Sequence, residues 1–362
     1  MKKRLNIAII LGTRPEIIKM SPVVRECKKR GIEYFILHTN QHFSENMDKI
    51  FFKELELPQP QYNLGINSLS HGKMIGKMMI EIEGVLQKEK PRWVLVQGDT
   101  NTVMAGATIA QRLGIKVGHV EAGLRSYDRS MPEEINRVVT DHVSDALFCP
   151  TNLQREIVIN EGIESGKVFV TGNTIVDAVF QNIKLAGKMD FVNKYRNDNY
   201  FLLTMHRPSN VDGKSTIIGI IRSLEKAAEK HRAKIIFPIH PRTKNQIRKY
   251  NININGKLIK TIDPVGYLEM LILEKYAKLI ITDSGGIQEE ACILKVPCVT
   301  IRDNTERPET VDIGASILVG NKENKIIKGI DKMIVTERSW KNPFGNGGAG
   351  KSIIDNLQIL SN

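Results

Sequence analysis

The sequence has little of what membrane proteins, disulfide-stabilised proteins and metalloproteins require. None of its apolar runs approaches the roughly 18 residues that span a membrane. Four cysteines are scattered over 362 residues without disulfide or metal spacing, which is typical of a reducing compartment. No combination of histidine and cysteine suits a metal, and no GxGxxG fingerprint follows a strand-like run. The sequence therefore predicts a cytoplasmic protein outside the membrane that needs neither a metal nor a nicotinamide cofactor.

The charge of the chain bears on its partners. A net charge of +12 is compatible with nucleic acid. However, lysine and arginine are dispersed among aspartate and glutamate, and no basic run alternates with aromatic residues. The pattern favours a solvated surface with one cleft for an anionic ligand over a nucleic-acid interface.

Short β-branched apolar runs alternate with helical stretches, which predicts βαβ units and parallel sheets. A polar stretch at 180–199 has no strand pattern and separates two series of such units. We therefore predict two doubly wound Rossmann-like α/β domains, 1–179 and 180–349, with a ligand cleft between them at the carboxyl ends of the strands. The predicted strands are 4–11, 33–39, 92–97, 116–121, 145–149, 167–171, 200–205, 234–239, 258–262, 278–282, 297–301 and 316–319.

The segment LIITDSGGIQEE at 279–290 is the most informative of the chain. Leu279–Thr282 predicts a buried strand, a helix is predicted over Ile287–Leu294, and the Ser-Gly-Gly turn 284–286 joins them. Such a turn presents backbone N–H groups at the positive end of the helix dipole, which favours a phosphate. Glu290 lies one turn into the helix, where a carboxylate can hold the two hydroxyls of a ribose. A plain strand-to-helix turn with a serine N-cap is an equal alternative.

Three carboxylates lie on successive elements at one edge of the first predicted sheet. Asp99 and Glu121 come at the ends of strands, and Glu133 or Glu134 opens a helix. A negatively charged first helical turn would explain Glu133 and Glu134 without any function. Asp99 and Glu121 are less easily explained by packing, and clustered carboxylates of shifted pKa are what proton transfer needs.

Basic residues and histidines follow other predicted strands. Arg14 and Lys19 come after the first strand, where they can meet a diphosphate. His206 ends a strand of the second half and can donate a proton or a hydrogen bond to a phosphate. His240 stands in a similar position between prolines, so a structural role in a turn is an equal alternative. His119 lies inside a strand and is predicted to be a packed core histidine.

Taken together, these segments resemble the non-hydrolysing UDP-N-acetylglucosamine 2-epimerase family. The resemblance covers nearly the whole chain, and the joint occurrence of the motifs in order is far more specific than any one of them. The motifs are GTRPEIIKMSPV at 12–23, GDT at 98–100, GHVEAGLRS at 118–126, MPEEINR at 131–137, TGNTIVDA at 171–178, TMHRPSNVD at 204–212, TDSGGIQEEA at 282–291 and RDNTERPE at 302–309. The resemblance implies a GT-B-like fold with the substrate in the interdomain cleft. It also implies a last helix, at 350–362, that packs back on the first domain.

The resemblance assigns roles to individual residues. Those implicated in catalysis are Asp99, Glu121, Glu133, Arg137 and His206. Those expected to contact the substrate are Arg14, Lys19, Asp99, Glu121, His206, Met270, Ser284, Gly285, Gly286, Glu290 and Arg307. In the second set, the Ser-Gly-Gly turn matches the pyrophosphate-binding turn, Glu290 the ribose ligand and Arg307 a second phosphate contact.

The chain departs from the family pattern at three places. Gln97 stands where many members have histidine, and Met270 stands where an aromatic residue often packs near the uracil. Pro208 follows His206 and Arg207 in place of a second arginine. The residues that depart from the pattern are ones expected to lie near the uracil or the sugar of the substrate.

The implied reaction interconverts UDP-N-acetylglucosamine and UDP-N-acetylmannosamine by elimination of UDP to a 2-acetamidoglucal and re-addition. The alternatives are a 2-epimerase of a UDP-2,3-diacetamido uronic acid, a GT-B-type glycosyltransferase, a hydrolysing epimerase and a non-catalytic nucleotide-sugar sensor. The expected partner is a UDP-sugar, and the expected assembly is a homodimer that binds neither nucleic acid nor membrane. The sequence neither predicts nor excludes a second, allosteric substrate site near Gln41 and His42.

Overall fold

The computed structural model describes residues 5–40, 45–66 and 70–361, which form two compact units. The first unit contains the described residues up to Gln181 together with those from Phe344 onward. The second unit is Asn182–Pro343. Over the described part of the chain, no helix combines the length and the apolar character that crossing a membrane requires.

The first unit is built on one parallel sheet. Its strands among the described residues are β1 (Asn6–Leu11), β2 (Glu33–His38), β3 (Tyr62–Asn63), β4 (Trp93–Gln97), β5 (Lys116–Val120), β6 (Ala146–Cys149) and β7 (Val168–Val170). They lie in the order β3-β2-β1-β4-β5-β6-β7. The helices that follow these strands in turn are α1 (Arg14–Arg30), α2 (Glu45–Glu54), α3 (His71–Glu89), α4 (Asn101–Arg112), α5 (Pro132–Val143), α6 (Asn152–Asn160) and α7 (Thr174–Ala186).

Strands β1, β4 and β6 are apolar and almost fully buried, because helices cover both faces of the sheet. Strand β1 is buried from Ile7 to Leu11. On one face, Ile10 and Val96 pack with Val103 of α4 and Leu86 of α3 in a single core cluster. Since every strand is parallel and ends at the same edge, the residues after β1, β4 and β5 are brought side by side.

The second unit repeats this plan with fewer strands. Its strands are β8 (Tyr200–Thr204), β9 (Lys234–Pro238), β10 (Ile259–Ile262), β11 (Leu279–Thr282), β12 (Cys298–Thr300) and β13 (Ser316–Leu318), in the order β10-β9-β8-β11-β12-β13. Its helices are α8 (Phe191–Tyr195), α9 (Pro208–Val211), α10 (Lys214–Lys230), α11 (Pro241–Lys249), α12 (Tyr267–Tyr276), α13 (Gly285–Ile293), α14 (Pro308–Asp312) and α15 (Glu323–Met333).

Two hydrophobic clusters fill the two faces of the second sheet. Leu202 and Ile280 belong to one cluster, and their neighbours Leu203 and Ile281 belong to the other. This alternation is the reason that the strands read as continuous apolar runs in the sequence.

The predicted fold class is confirmed. All twelve predicted strands are present, each with bounds that agree to within one or two residues where the structure describes them. Strand β3 was not predicted, because two residues in a polar segment carry no alternation pattern. The polar stretch at 180–199 has no strand, as predicted, but α7 continues into it as far as Ala186 and α8 follows. The chain passes from the first unit to the second within α7, after Gln181.

The last helix, α16 (Ala349–Leu360), belongs to the first unit and packs on α1. A Cβ added at Gly350 would lie 3.0 Å from Pro22, so the two helices approach closely at that point. Asp177 of α7 caps α16, since its carboxylate accepts from the N–H groups of Gly348 at 2.8 Å and Ala349 at 3.1 Å.

We predict that Asp177→Ala lowers the free energy of unfolding by about 1–2 kcal/mol, because two helix N–H groups lose their acceptor. Urea denaturation would measure this loss, and hydrogen exchange at the amides of α16 should become faster. Asp355→Ala is the matched control on the same helix, because Asp355 is 45% exposed and pairs with Arg30 at the surface. Unchanged exchange in α16 of Asp177→Ala would contradict the prediction.

Candidate functional site

Glu121 sits at the carboxyl end of β5 in a buried ion pair. Lys19 of α1 donates to both Glu121 oxygens at 2.7 Å, and the two side chains are 11% and 3% exposed. Gln97, the last residue of β4, donates its amide N–H to Glu121 Oε2. Glu121 also has a φ of +66°, a conformation that non-glycine residues adopt rarely and that is common at functional sites. The glutamine that departs from the family pattern is therefore a direct partner of the predicted acid/base group.

Asp99 lies at the neighbouring strand end and has its own cationic partner. Arg137 of α5 donates to Asp99 Oδ2 through one guanidinium nitrogen and to Glu134 at 2.9 Å through another. Asn136 holds the same turn by donating to the Asp99 carbonyl oxygen at 2.9 Å. Asp99 and Glu121 are thus carboxylates on adjacent strands, each held by a different cation.

The residue types alone did not decide whether Glu133 or Glu134 is the third carboxylate of the cluster. The two side chains have different surroundings in the structure. Glu134 is buried and accepts hydrogen bonds from the N–H groups of Ser126 and Tyr127, each at 2.9 Å. Burial alone would raise its pKa, but these bonds and the charge of Arg137 hold the pKa of Glu134 below its ordinary value. Glu133 is exposed on α5. The contacts to Arg137 therefore come from Glu134, whereas the resemblance singles out Glu133.

Glu16 was not predicted as a site residue, although it links two of the site loops. Its buried carboxylate accepts from the N–H groups of Gly12 and Thr13 and from the Thr100 hydroxyl at 2.8 Å. The turn after β1 is thereby tied to the turn that carries Asp99. Burial raises the pKa of Glu16 to about 7, although the three donors act in the opposite direction. The Thr-x-x-Glu capping-box pattern before a helix was the available sequence signal.

His119 is buried, as predicted, and it also contacts the backbone of the turn that carries Asp99. One ring nitrogen is 2.6 Å from Asp141 Oδ1, and the other is 2.8 Å from the Gly98 carbonyl oxygen. Arg125 donates to the other oxygen of Asp141 at 2.7 Å. Burial alone would raise the pKa of Asp141, but His119 and Arg125 hold it below its ordinary value.

In the second unit, Asp283 organises the end of β8. Its fully buried carboxylate accepts from the N–H of His206 at 3.0 Å, the N–H of Arg207 at 2.9 Å and the side-chain amide of Asn210 at 3.1 Å. The His206 ring nitrogen Nδ1 lies 3.2 Å from Asp283 Oδ1, while the side chain stays 43% exposed. Burial opposes ionisation, but these donors keep the pKa of Asp283 below its ordinary value. The imidazole of His206 is therefore oriented by Asp283 and remains accessible to solvent.

His240 has the structural role that the sequence left as an alternative. Its ring accepts from the N–H of Arg242 at 3.2 Å and so caps α11. The rings of His240 and His206 are 5.3 Å apart. Burial, and then the charge of His206, lowers the pKa of His240.

The Ser-Gly-Gly turn differs from the prediction in one respect. Helix α13 begins at Gly285 instead of Ile287, because both glycines adopt helical geometry directly after the N-cap Ser284. The Ser284 side chain makes no capping hydrogen bond, and Gly286 is exposed. The plain N-cap alternative therefore lacks its defining bond, whereas N–H groups at the start of α13 suit an anion.

Two arginines lie close to this turn. Arg307 Nε is 2.6 Å from the buried carboxylate of Glu289. Arg302 donates to both oxygens of Glu306 at 2.9 and 2.8 Å, and a Cβ added at Gly285 would lie 3.7 Å from Glu306. Burial would raise the pKa of Glu306, but the hydrogen bonds and charge of Arg302 lower it to about 2.

The remaining predicted contacts are more dispersed. Glu290 is buried on α13, and Met270 is partly buried on α12, against the core beneath it. Arg14 is exposed, with its guanidinium 5.8 Å from the Phe51 ring centroid. Gln41 and His42 lie outside the described residues, so the question of an allosteric site near them stays undecided.

One phosphate-loop pattern in the chain is a false match. The letters GNGGAGKS at 345–352 fit both GxGxxG and GxxxxGKS. The nearest preceding strand, β13, ends at Leu318, so no strand leads into the turn, and α16 begins at Ala349. The carboxylate of Asp177 already occupies the N-terminus of α16. A phosphate would be repelled there, so the turn serves to close the last helix.

Among the described residues, no group of three or more histidine, cysteine, aspartate or glutamate side chains could hold a metal ion. His38 and His42 are four residues apart, but His38 ends a strand and His42 lies outside the described residues.

The fold and these side chains together define a two-unit, Rossmann-like α/β protein with buried carboxylates at its strand ends. The family described as UDP-N-acetylglucosamine 2-epimerase matches residues 25–358. The UDP-N-acetylglucosamine 2-epimerase of Methanocaldococcus jannaschii is 58% identical over 358 residues, which are 97% of this chain and 98% of that protein. The chain belongs to the UDP-N-acetylglucosamine 2-epimerase family, as its motifs predicted.

Two further comparisons refine this relationship. The crystal structure of the Methanocaldococcus jannaschii enzyme in complex with UDP-GlcNAc and UDP has a TM-score of 0.89 and 58% identity, and the match covers 98% of this chain and 100% of that one. The UDP-2,3-diacetamido-2,3-dideoxy-D-glucuronate 2-epimerase of Pseudomonas aeruginosa is 41% identical over 98% of this chain and 100% of that protein.

We predict that Asp283→Asn lowers the free energy of unfolding by about 1–3 kcal/mol at pH 7, because an amide cannot accept from all the donors that the carboxylate satisfies. Since the folded-state pKa of Asp283 is lowered, its stabilisation is present above the unfolded pKa of about 3.9 and is lost as the pH falls through the folded value. Urea midpoints of wild type and variant should therefore converge below about pH 4.

The matched control is Asp263→Asn, because Asp263 is 87% exposed in the same unit. Its midpoints should follow those of wild type at every pH. A constant difference between wild type and Asp283→Asn across this range would refute the ionised role of Asp283.

Proposed function

We propose that this protein is a UDP-N-acetylglucosamine 2-epimerase that interconverts UDP-N-acetylglucosamine and UDP-N-acetylmannosamine. The observation that carries the proposal is the pair of carboxylates on adjacent strand ends, Glu121 with Lys19 and Asp99 with Arg137. Inversion at one carbon needs a group that removes a proton and a group that returns one from the other face. Family membership, with 58% identity to a named 2-epimerase, supports the same reaction.

The chemistry follows from the substrate. The C2 proton of a 2-acetamido sugar has no neighbouring carbonyl and is not acidic. Its removal must be coupled to departure of a good leaving group, and UDP at C1 is one. A carboxylate takes the proton while the C1–O bond breaks, which gives 2-acetamidoglucal and UDP. UDP then returns to C1 while a proton is delivered to the opposite face of C2.

In the first unit, Glu121 and Asp99 are the proposed acid/base pair. Lys19 and Arg137 orient the two carboxylates and supply positive charge beside the developing anion. Glu16 holds the turn at Gly12 and His119 holds the turn at Gly98 through hydrogen bonds to their backbones. These contacts fix the loops that carry the proposed catalytic groups. The resemblance also implicates Glu133, and its role stays a prediction because Glu133 is exposed on α5.

In the second unit, the nucleotide contacts are assigned to the start of α13. The Ser284, Gly285 and Gly286 turn would take the pyrophosphate, with Arg307 as a further cation and Glu290 for the ribose. His206, oriented by Asp283, would stabilise UDP as it leaves. The crystal structure of the Methanocaldococcus jannaschii enzyme in complex with UDP-GlcNAc and UDP supports a nucleotide-sugar site of this kind.

The sugar, the compartment and the assembly belong to the same proposal. Identity is higher to a UDP-N-acetylglucosamine 2-epimerase, at 58%, than to the diacetamido-glucuronate 2-epimerase, at 41%, which favours the former substrate. Four buried, unpaired cysteines suit a reducing, cytoplasmic location. A homodimer remains the expected assembly, and light scattering of the purified protein would test it.

We predict that Asp99→Asn and Glu121→Gln each lower kcat by roughly 100-fold or more while UDP affinity stays within a few-fold, because each removes an acid/base group and keeps its shape. Steady-state kinetics and calorimetry with UDP would measure the two quantities. Glu81→Gln is the control, since Glu81 is an exposed carboxylate on α3 of the same unit. Near wild-type turnover in either variant would remove that residue from the mechanism.

The reaction path itself is tested by isotopes followed by NMR. Product formed from UDP-N-acetylglucosamine in deuterated water should carry deuterium at C2, because the group that removes the proton is not the one that returns it. An ¹⁸O label in the C1–O–P bridge should scramble into non-bridging β-phosphate positions, because that bond breaks. Deuterium at C2 without scrambling would exclude the glycal path. Release of free N-acetylmannosamine would instead identify a hydrolysing epimerase.

A further inference from the structure

A ring of hydrogen bonds joins helix α13 to the loop that carries Arg307. The side chain of Gln288 on α13 is fully buried. Its carbonyl oxygen accepts from the Thr305 hydroxyl at 2.8 Å, and its amide N–H donates to the Thr310 hydroxyl oxygen at 2.6 Å. The two threonines lie on either side of Arg307 in the sequence. One amide on α13 therefore holds the loop on both sides of this arginine.

The same two hydroxyls hold the backbone of Arg307. The Arg307 N–H donates to the Thr305 hydroxyl oxygen at 3.1 Å, and the Arg307 carbonyl oxygen accepts from the Thr310 hydroxyl at 3.0 Å. Arg307 is the N-cap of α14, and its φ of −128° and ψ of 54° belong to neither a helix nor a strand. Side-chain hydrogen bonds on both sides of the residue therefore hold this irregular conformation.

The direction of each hydrogen bond in the ring follows from the number of protons. A hydroxyl has one proton to donate, and its oxygen can also accept. The Thr305 proton goes to Gln288, so the Thr305 oxygen is left to accept from Arg307. The Thr310 proton goes to the Arg307 carbonyl, so the Thr310 oxygen is left to accept from Gln288. The ring therefore needs one acceptor and one donor on the same side chain, and an amide supplies both.

Gln288 is also part of the turn that is assigned to the pyrophosphate. Its backbone N–H donates to the carbonyl oxygen of the N-cap Ser284 at 3.1 Å, and this hydrogen bond closes the first turn of α13. The backbone of Gln288 thus belongs to the turn whose N–H groups suit an anion, while its side chain holds Arg307. Gln288 connects the two groups that are assigned to the phosphates.

We propose that Gln288 is a positioning residue for the diphosphate: through Thr305 and Thr310 it holds Arg307 beside the start of α13, so that the arginine and the N–H groups of the turn act on the same diphosphate. The inference rests on the proposed function, in which that turn and Arg307 contact the pyrophosphate. A cation that is already held in place does not have to be ordered when the ligand binds. Affinity for the diphosphate, and not for the nucleoside, should therefore depend on Gln288.

The test compares UDP, by calorimetry, with uridine, which lacks both phosphates, by NMR titration. Gln288→Leu removes the amide and should bind UDP roughly tenfold or more weakly, while its uridine affinity stays within about threefold of wild type. Thr305→Val breaks the same ring without a change in α13 and should give the same result. It replaces Gln288→Leu in every comparison if that variant fails to fold.

Two controls accompany these variants. Thr305→Ser keeps the hydroxyl and should bind UDP within about threefold of wild type. Thr261→Val removes an exposed hydroxyl on β10 of the same unit and should leave UDP affinity unchanged. A loss in Thr305→Ser as large as in Thr305→Val would refute the role of the hydroxyl in the ring.

A double-mutant cycle shows whether Gln288 acts through Arg307. In the Arg307→Ala background, Gln288→Leu should change UDP affinity by less than about threefold, because the side chain that it positions is gone. An equal loss in both backgrounds would mean that Gln288 supports α13 directly, which would overturn the positioning role. Equal losses for UDP and uridine would overturn it too, as would unchanged UDP affinity in Gln288→Leu or Thr305→Val. Unchanged UDP affinity in Arg307→Ala would instead show that the proposed nucleotide site itself is misplaced.

Discussion

Burying a carboxylate removes it from water, and the fold must then supply the donors that water supplied. Both units are organised around this constraint. Glu121 receives a lysine and a glutamine, Asp141 a histidine and an arginine, and Asp283 two backbone N–H groups and an asparagine. Each of these carboxylates lies at or behind the carboxyl end of a parallel strand, so satisfying it also fixes the loop that carries the candidate site residues.

The acids of the structure fall into two electrostatic groups. Glu134, Asp141, Asp283 and Glu306 have pKa values below the ordinary range because cations or several donors outweigh burial. Glu16 and Glu274 have raised values because burial dominates. The first group gives fixed negative charge beside histidine and arginine side chains, whereas burial opposes ionisation of the second group.

Some features of the site were predictable and others were not. The twelve strands followed from apolar runs, and Asp99, Glu121 and His206 followed from their positions after those runs. Glu16 and Asp283 were not predicted as candidate site residues, because a buried carboxylate looks the same in a sequence as an exposed one. The start of α13 was placed two residues late, since glycines lower helix propensity and only the N-cap geometry shows where that helix begins. The segment 345–352 shows the converse. Its residues match the phosphate-loop motif completely, but the strand that precedes a phosphate-binding loop is missing.

The sequence by itself determined the fold class, the strand positions and the family, because local apolar periodicity and motifs spread over the whole chain survive without any knowledge of contacts. The tertiary structure decided which partners each carboxylate has: Lys19 for Glu121, 102 residues away along the chain, Arg137 for Asp99, and the N–H of Arg207 for Asp283. Those pairings fix the orientation of each acid. They depend on which strand ends and helices the fold brings within hydrogen-bonding distance, and no local pattern in the sequence encodes that distance.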